Sequence, residues 1–365
     1  MNAIPKTMHA VLLTGHGGFE RLDYRTDVAV PAPRPGEVLI RVGAAAVNNT
    51  DVNTRIGWYS KAAEGNVATD GGERVVADAG LADASWAGTP MRFPRIQGID
   101  ACGRIVSVGD GIDATRIGER VLIEPCLRVF PGGADGAVGF FGSECDGGFA
   151  QFATVAAAHA HAIDSPLSDA ELASFPCSWS TAENMLTRAR LGSGERILVT
   201  GASGGVGSAL VQLARRRGAR VFAVAGASKA YEVQDLGAET VIPRGTDPLR
   251  VLGPDSVDVV ADLVAGAEWP SLLEVLRPGG RYAVAGAIAG PTVELDLRTL
   301  YLKDLTFFGC TVLEPGVFAN LIGYIERGEV RPVVARTYPL AEIVAAQCDF
   351  LAKKFTGKLV LLPPA

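Results

Sequence analysis

The amino-acid sequence predicts an α/β protein in two parts, an all-β, barrel-like part and a doubly wound parallel sheet flanked by helices. Three observations predict it. Short apolar runs separated by Gly and Pro turns fill the stretch from Met8 to about Asp164. From about Ser165 the pattern changes to strands alternating with helical stretches. Within that second region, Arg196 to Gly218 reads RILVTGASGGVGSALVQLARRRG: strand, glycine turn, helix.

The last of these organises the chain. Ile197, Leu198 and Val199 form a run of the right length for a strand buried on both faces. Gly201, Ala202, Ser203, Gly204, Gly205, Val206 and Gly207 make the turn, and Leu210, Val211, Leu213 and Ala214 recur at helical spacing. Bare backbone lets a pyrophosphate approach, and the unpaired N–H groups of the helix start meet its charge. Gly201, Ser203, Gly204, Gly205, Val206 and Gly207 are therefore candidate cofactor contacts. The spacing is not the strict G-x-G-x-x-G; the competing reading is an ordinary tight turn between a core strand and a core helix.

The second strand, Arg220 to Ala225, tells which dinucleotide. A site for NAD carries a carboxylate about 20 residues beyond the glycines to hold the ribose diol. Here the strand runs into Gly226-Ala227-Ser228-Lys229 with no acid at its tip. Ser228 offers a hydroxyl and Lys229 a charge to a 2′-phosphate, unless they merely cap a helix and face solvent. Arg244 ends another strand and is a candidate to flank the adenine or its 2′-phosphate, unless it is simply solvated. The expectation is NADP(H).

Composition excludes other classes. The chain has 365 residues, 48% apolar and 20% charged, with net charge −6 and no basic block. That argues against nucleic acid or an anionic membrane as partner. No apolar run approaches the ~18 residues of a membrane helix, and the N-terminus lacks a signal-peptide pattern. Six scattered cysteines (102, 126, 145, 177, 310, 348) suit reduced thiols in a cytoplasmic protein.

Taken in order, strands are expected at His9–Leu13, Glu37–Val42, Gly103–Gly109, Arg120–Ile123 and Ala150–Val155. Ser60 to Arg92 shows no periodicity, and a loop of that length is either a lid or wall over a site or a surface excursion. Further strands follow at Glu239–Ile242, Val257–Asp262, Gly280–Ala285 and Leu305–Gly309. After Pro315 a helix to Arg327, a strand at Val333–Ala335, a helix from Leu340 to Lys354 and a strand at Lys358–Leu362 read as a return to the first part. The domains are then 1–164 with 314–365, and 165–313.

Four passages carry a resemblance over nearly the whole chain: Pro35 to Ile40, Gly98 to Gly109, Gly118 to Val121, and the glycine turn with its helix. With them, the sequence resembles the medium-chain dehydrogenase/reductase superfamily. That implies a GroES-like catalytic domain, a Rossmann domain and a cleft between them, and commonly a homodimer joined through Rossmann edge strands, here Leu305–Gly309. Zinc-dependent members show Cys-His-Thr-Asp and Gly-His-Glu segments; this chain has Asn48-Asn49-Thr50-Asp51 and Gly98-Ile99-Asp100 instead. Asparagine is a poor zinc ligand and isoleucine is none. Cys126 and Cys145 are isolated, and with His159 and His161 they fit no usual metal spacing. No metal is expected.

The zinc-free branch that the chain resembles is the quinone oxidoreductase-like group. The resemblance implies hydride transfer from NADPH to a quinone or an α,β-unsaturated carbonyl. Asn48 stands where these enzymes also have Asn, and its amide is a candidate donor to a substrate carbonyl or ribose hydroxyl. Tyr59 resembles the tyrosine that enoyl reductases use as a proton source, or else it is an aromatic wall. Thr181 matches a threonine that faces the nicotinamide, or caps a helix. Ala285 and Gly286 end a strand where ligands collect, and Thr311 and Lys358 are placed on the nicotinamide side. The alternatives left open are a 2-enoyl thioester reductase, a zinc-type alcohol dehydrogenase with displaced ligands, and an NADPH-binding protein without turnover.

Overall fold

The computed structural model describes residues 4–60 and 82–365. Most of the expected lid or wall, 61–81, lies outside the described residues. Contacts divide the chain into two units. The first is Met1–Cys177 with Val334–Lys354 and Lys358–Ala365; the second is Ser178–Val333 with Phe355–Gly357.

The first unit is built on a mixed seven-stranded sheet. Its order is Ala160–Ala162, Arg120–Ile123, Cys102–Val108, Glu37–Ala46, Lys358–Leu362, Val334–Pro339, with Phe152–Ala156 also pairing on Glu37–Ala46. The strand Glu37–Ala46 is almost wholly buried, which explains why its sequence, EVLIRVGAAA, is apolar with hardly any alternation. Gly103 is required beside it, because a Cβ there would stand 2.2 Å from the Arg41 carbonyl oxygen. A smaller sheet pairs Thr7–Leu13 with Leu22–Ala29 and Arg95–Ile96. Leu22–Ala29 was not expected from sequence: it is an outer strand with mostly exposed or half-buried side chains and no apolar alternation.

The second unit is a six-stranded sheet, parallel throughout, in the order Thr240–Pro243, Arg220–Ala225, Arg196–Val199, Val257–Asp262, Leu276–Val284, Thr306–Gly309. In sequence order this is 3-2-1-4-5-6, the doubly wound arrangement with its switch point beside the first strand. Its core on one face gathers Leu198, Val260, Trp269, Leu273 and Tyr282.

The unit boundaries fall later than 164/165 and 313/314. The short helix Asp169–Leu172 packs on Glu37–Ala46, and its Asp169 accepts from Arg120 Nε at 2.7 Å, so the chain stays with the first unit to Cys177. The helix Val317–Glu326, expected in the first part, belongs to the second. Arg216 pairs with Glu329 at 2.5 Å and Gln212 exchanges two hydrogen bonds with the Arg331 backbone, which ties this region to the helix Gly205–Arg216. Among the described residues no helix is long and apolar enough to cross a membrane.

Candidate functional site

In the second unit the glycine turn has the geometry of a phosphate cradle. Gly201 turns the chain at φ +60, where a side chain is disfavoured. A Cβ on Gly207 would lie 2.2 Å from Gly201 O and 2.6 Å from Ala202 Cα, so only glycine lets helix and strand pack this closely. Gly204, exposed, is the N-cap of the helix Gly205–Arg216 and brings no side chain to the first-turn N–H groups. A Cβ there would find Gly201 O at 3.5 Å as its nearest neighbour, so that face of the turn is open. Gly205 and Val206 begin the helix half-buried, while Ser203 is buried and its carbonyl accepts from Gly357 N at 3.0 Å. These residues fit a dinucleotide pyrophosphate.

At the tip of Arg220–Ala225, Ser228 is exposed and Lys229 buried. Ser228 does not cap the helix Ala230–Asp235, whose N-cap is Lys229 without a side-chain bond. The Lys229 ammonium is pulled below the ordinary lysine range, first by burial and then by the Arg244 charge. Arg244 N donates to Ala225 O at 2.7 Å, and its guanidinium lies 3.4 Å from where a Gly226 Cβ would be. Two cations thus stand at the tips of two neighbouring strands, Arg220–Ala225 and Thr240–Pro243, a place that suits a 2′-phosphate.

The other half of the same sheet edge is held by a buried carboxylate that sequence reasoning missed. Asp262, fully buried, accepts from Thr200 Oγ1 at 2.6 Å, from Tyr282 OH at 2.5 Å and from Val264 N at 2.9 Å. It ties the start of the glycine turn to the turn after its own strand. The signal was an acid closing the apolar run Val259-Val260-Ala261. Ala285 and Gly286 follow the neighbouring strand half-buried, with Ala285 N donating to Asp262 O at 3.2 Å. Thr311 is exposed beyond the last strand; Thr181 is half-buried well inside the helix Pro176–Arg188, so it is not its cap.

In the first unit, Asn48 and Tyr59 flank the helix Asn49–Ile56. Asn48 begins it: its N–H donates to Asp51 Oδ2 at 2.8 Å, and Asp51 Oδ1 accepts from Ile99 N at 3.2 Å. The Asn48 amide donates to Asp100 Oδ2 at 2.8 Å and to Ala46 O at 3.1 Å, while its oxygen accepts from Lys358. Lys358 Nζ also meets Asp100 Oδ2 at 2.8 Å, and Asp100 Oδ1 accepts from Cys177 N at 2.6 Å. Lys358, expected on the nicotinamide side, belongs to this cluster within the first unit. Lys358 and Asp100 are 3% and 0% exposed, so the pair is fully desolvated. Burial, with Asp100 adding to it, pushes the Asp51 carboxyl up to about 7 against the Asn48 N–H and the Lys358 charge.

Tyr59 is half-buried, its hydroxyl 3.1 Å from Thr50 Oγ1. Burial pushes the phenol up to about 12, so it holds its proton at neutral pH. Trp86 lies parallel to Tyr59, with centroids 6.4 Å apart, and stacks on Phe140 at 4.1 Å. Elsewhere in this unit, His159 and His161 both turn to Glu124 Oε2, at 3.1 and 3.2 Å. Burial alone would raise that carboxyl, but the two imidazoles bring it down to about 2. His159 Nε2 accepts from Arg128 N at 3.0 Å. Among the described residues no group of three or more His, Cys, Asp or Glu side chains is arranged to hold a metal ion.

Comparison with known proteins agrees with this architecture. Residues 34–165 match the alcohol dehydrogenase GroES-like domain, and 205–327 match the zinc-binding dehydrogenase family. The chain is 30% identical to the quinone oxidoreductase of Rattus norvegicus over 371 residues, covering 98% of each. It is 28% identical to the chloroplastic NADPH-dependent alkenal/one oxidoreductase of Arabidopsis thaliana over 367 residues, covering 99% of this chain and 81% of that one. A solved structure of an alcohol dehydrogenase candidate from Sinorhizobium meliloti is 47% identical, covers 100% of this chain and 99% of its own, and superposes with a TM-score of 0.88. The folded units, their strand order and these likenesses together make the chain an oxidoreductase that belongs to the medium-chain dehydrogenase/reductase superfamily, in its quinone oxidoreductase-like branch.

Proposed function

We propose that this oxidoreductase uses NADPH to reduce quinones or α,β-unsaturated carbonyls, without zinc and with Tyr59 as proton donor. The observation that carries the reading is the Asn48–Asp100–Lys358 cluster. Where zinc-dependent members have a cysteine and a histidine, this chain has Asn48, held on three sides beside the buried Asp100–Lys358 pair, and Ile99. Bound NADPH supplies a hydride. The acceptor gains negative charge on its carbonyl oxygen, and a phenol that keeps its proton at neutral pH can neutralise it. Tyr59 then recovers its proton from solvent. Asn48, with both amide hydrogens engaged by Asp100 and Ala46, positions this cluster rather than donating to the substrate.

Preference for NADPH over NADH rests on Lys229 and Arg244 beside a strand tip that bears no carboxylate. A homodimer is supported by the outermost strand Thr306–Gly309 and the exposed Leu297, Tyr301 and Leu302 close before it in the chain. Six free cysteines suit a cytoplasmic enzyme. The test is oxidation of NADPH and NADH by the purified protein against quinones, enones and enoyl thioesters, with and without a chelator. Chelator-insensitive, NADPH-selective reduction of quinones or enones is expected. Turnover confined to thioesters, a preference for NADH, or loss of activity on chelation would each overturn that part of the reading.

A further inference from the structure

The strand order divides the cofactor edge into two halves. The first strand and the glycine turn lie in the middle, with Arg220–Ala225 and Thr240–Pro243 on one side. Lys229 and Arg244 mark that side for the adenosine half. A dinucleotide that spans the switch point must then lay its nicotinamide half over the ends of Val257–Asp262, Leu276–Val284 and Thr306–Gly309. The segment leaving the last of these, Cys310 to Glu314, is neither helix nor strand, so something else must fix it.

The helix Pro176–Arg188 does so. Thr181, Asn184 and Arg188 recur at i, i+3 and i+7 and share one face. Asn184 is fully buried, and its amide grips the segment twice: Nδ2 donates to Val312 O at 3.0 Å and Oδ1 accepts from Glu314 N at 2.9 Å. Arg188 holds either end, donating to Gly309 O at 2.6 Å and pairing with the Glu314 carboxylate at 3.1 Å. A planar amide, with an NH2 donor beside a carbonyl acceptor, satisfies a carbonyl and an N–H two residues apart; neither leucine nor aspartate does both.

We propose that Asn184 is a positioning residue for the nicotinamide half of the cofactor: by bracing 311–314 against the helix that carries Thr181, it fixes which face of the ring is presented. The proposal rests on the NADPH reading above. Three measurements on the full chain test it, using Asn184→Leu and Asn184→Asp: affinity for 2′,5′-ADP, the rise of NADPH fluorescence on binding, and transfer of deuterium from NADPH labelled on one C4 face.

For Asn184→Leu the expectation is unchanged 2′,5′-ADP affinity and NADPH binding weakened about tenfold, because binding must then order the segment 311–314 that the amide no longer braces. Deuterium transfer should no longer be confined to one face. Asn184→Asp, which keeps the acceptor for Glu314 N, should fall between, and it carries the comparison if the leucine variant does not fold. Equal weakening of 2′,5′-ADP and NADPH would mark a general structural role and overturn the proposal, as would wild-type binding and stereochemistry in both variants. If the wild type binds neither ligand, the cofactor reading itself falls and takes this one with it.

Discussion

Removing the Lys358 ammonium is the most direct probe of the buried cluster. Lys358→Met keeps length and apolar stem but leaves Asp100 with no exposed surface, its remaining donors being Asn48 Nδ2 at 2.8 Å and Cys177 N at 2.6 Å. Deleting one partner of a buried pair strands the other charge, at a cost of about 3–5 kcal/mol. For a unit of this size that lowers the melting temperature on the order of 10 °C. Asp100→Asn removes the opposite charge while keeping the shape. If the charges are coupled, Lys358→Met/Asp100→Asn is less destabilised than the two single variants added together, by more than about 1 kcal/mol. The assay is thermal and urea unfolding of all four proteins at pH 7. Additivity within about 0.5 kcal/mol would refute the argument that the pair is desolvated and coupled.

Further predictions follow from the same geometry. Tyr59→Phe should lower turnover on enones on the order of a hundredfold while leaving NADPH affinity unchanged, as steady-state kinetics would read; unchanged turnover would remove the donor role. Gly207→Ala should abolish tight NADPH binding, because the new methyl group would meet Gly201 O at 2.2 Å and neither backbone can give way cheaply; fluorescence titration checks it. Lys229→Ala should cut the preference for NADPH over NADH about tenfold through loss of one charge-assisted contact, seen in the ratio of kcat/KM. Asp51, pushed up to about 7 in the fold, stays protonated after the unfolded chain has ionised. Its share of stability is therefore full below the unfolded pKa of about 4 and is lost as pH rises to about 7. Urea midpoints from pH 4 to 7 should fall with a slope that Asp51→Asn flattens.

What the sequence made legible was whatever neighbours along the chain decide. Ile197–Val199 announces itself because a strand buried on both faces needs an unbroken apolar run, and Val257–Asp262 because only Asp258 interrupts its apolar stretch before the closing acid. The phosphate corner is equally local: Gly201 and Gly207 are six positions apart and constrain each other directly. Partners far apart in sequence were another matter. Asn48 reads as a free amide until Lys358 and Asp100 are seen to engage it, and Asn184 reads as an unremarkable helix residue until Val312 and Glu314 close on it. Leu22–Ala29 escaped for the opposite reason: an exposed outer strand has little hydrophobic pattern to show. The unit boundary moved because Asp169 and Arg120, not the change in periodicity, decide where residues 165–177 belong.

The closing strand Lys358–Leu362 has a consequence for how the protein is made. It lies inside the seven-stranded sheet, with Glu37–Ala46 on one edge and Val334–Pro339 on the other. During synthesis the first unit thus begins to emerge before the second yet lacks an inner strand until residue 362 has left the ribosome. The second unit is nearly contiguous, from Ser178 to Val333, and all six of its strands are delivered earlier. Domains that fold as units as they emerge would here do so out of order, with the dinucleotide-binding sheet assembled while the earlier-made strands wait with an open seam. That seam exposes the backbone of Ala45 and Ala46, the residues that pair with Leu361 and Val360, and they are the natural place for a nascent chain to meet a chaperone or mispair with a second copy.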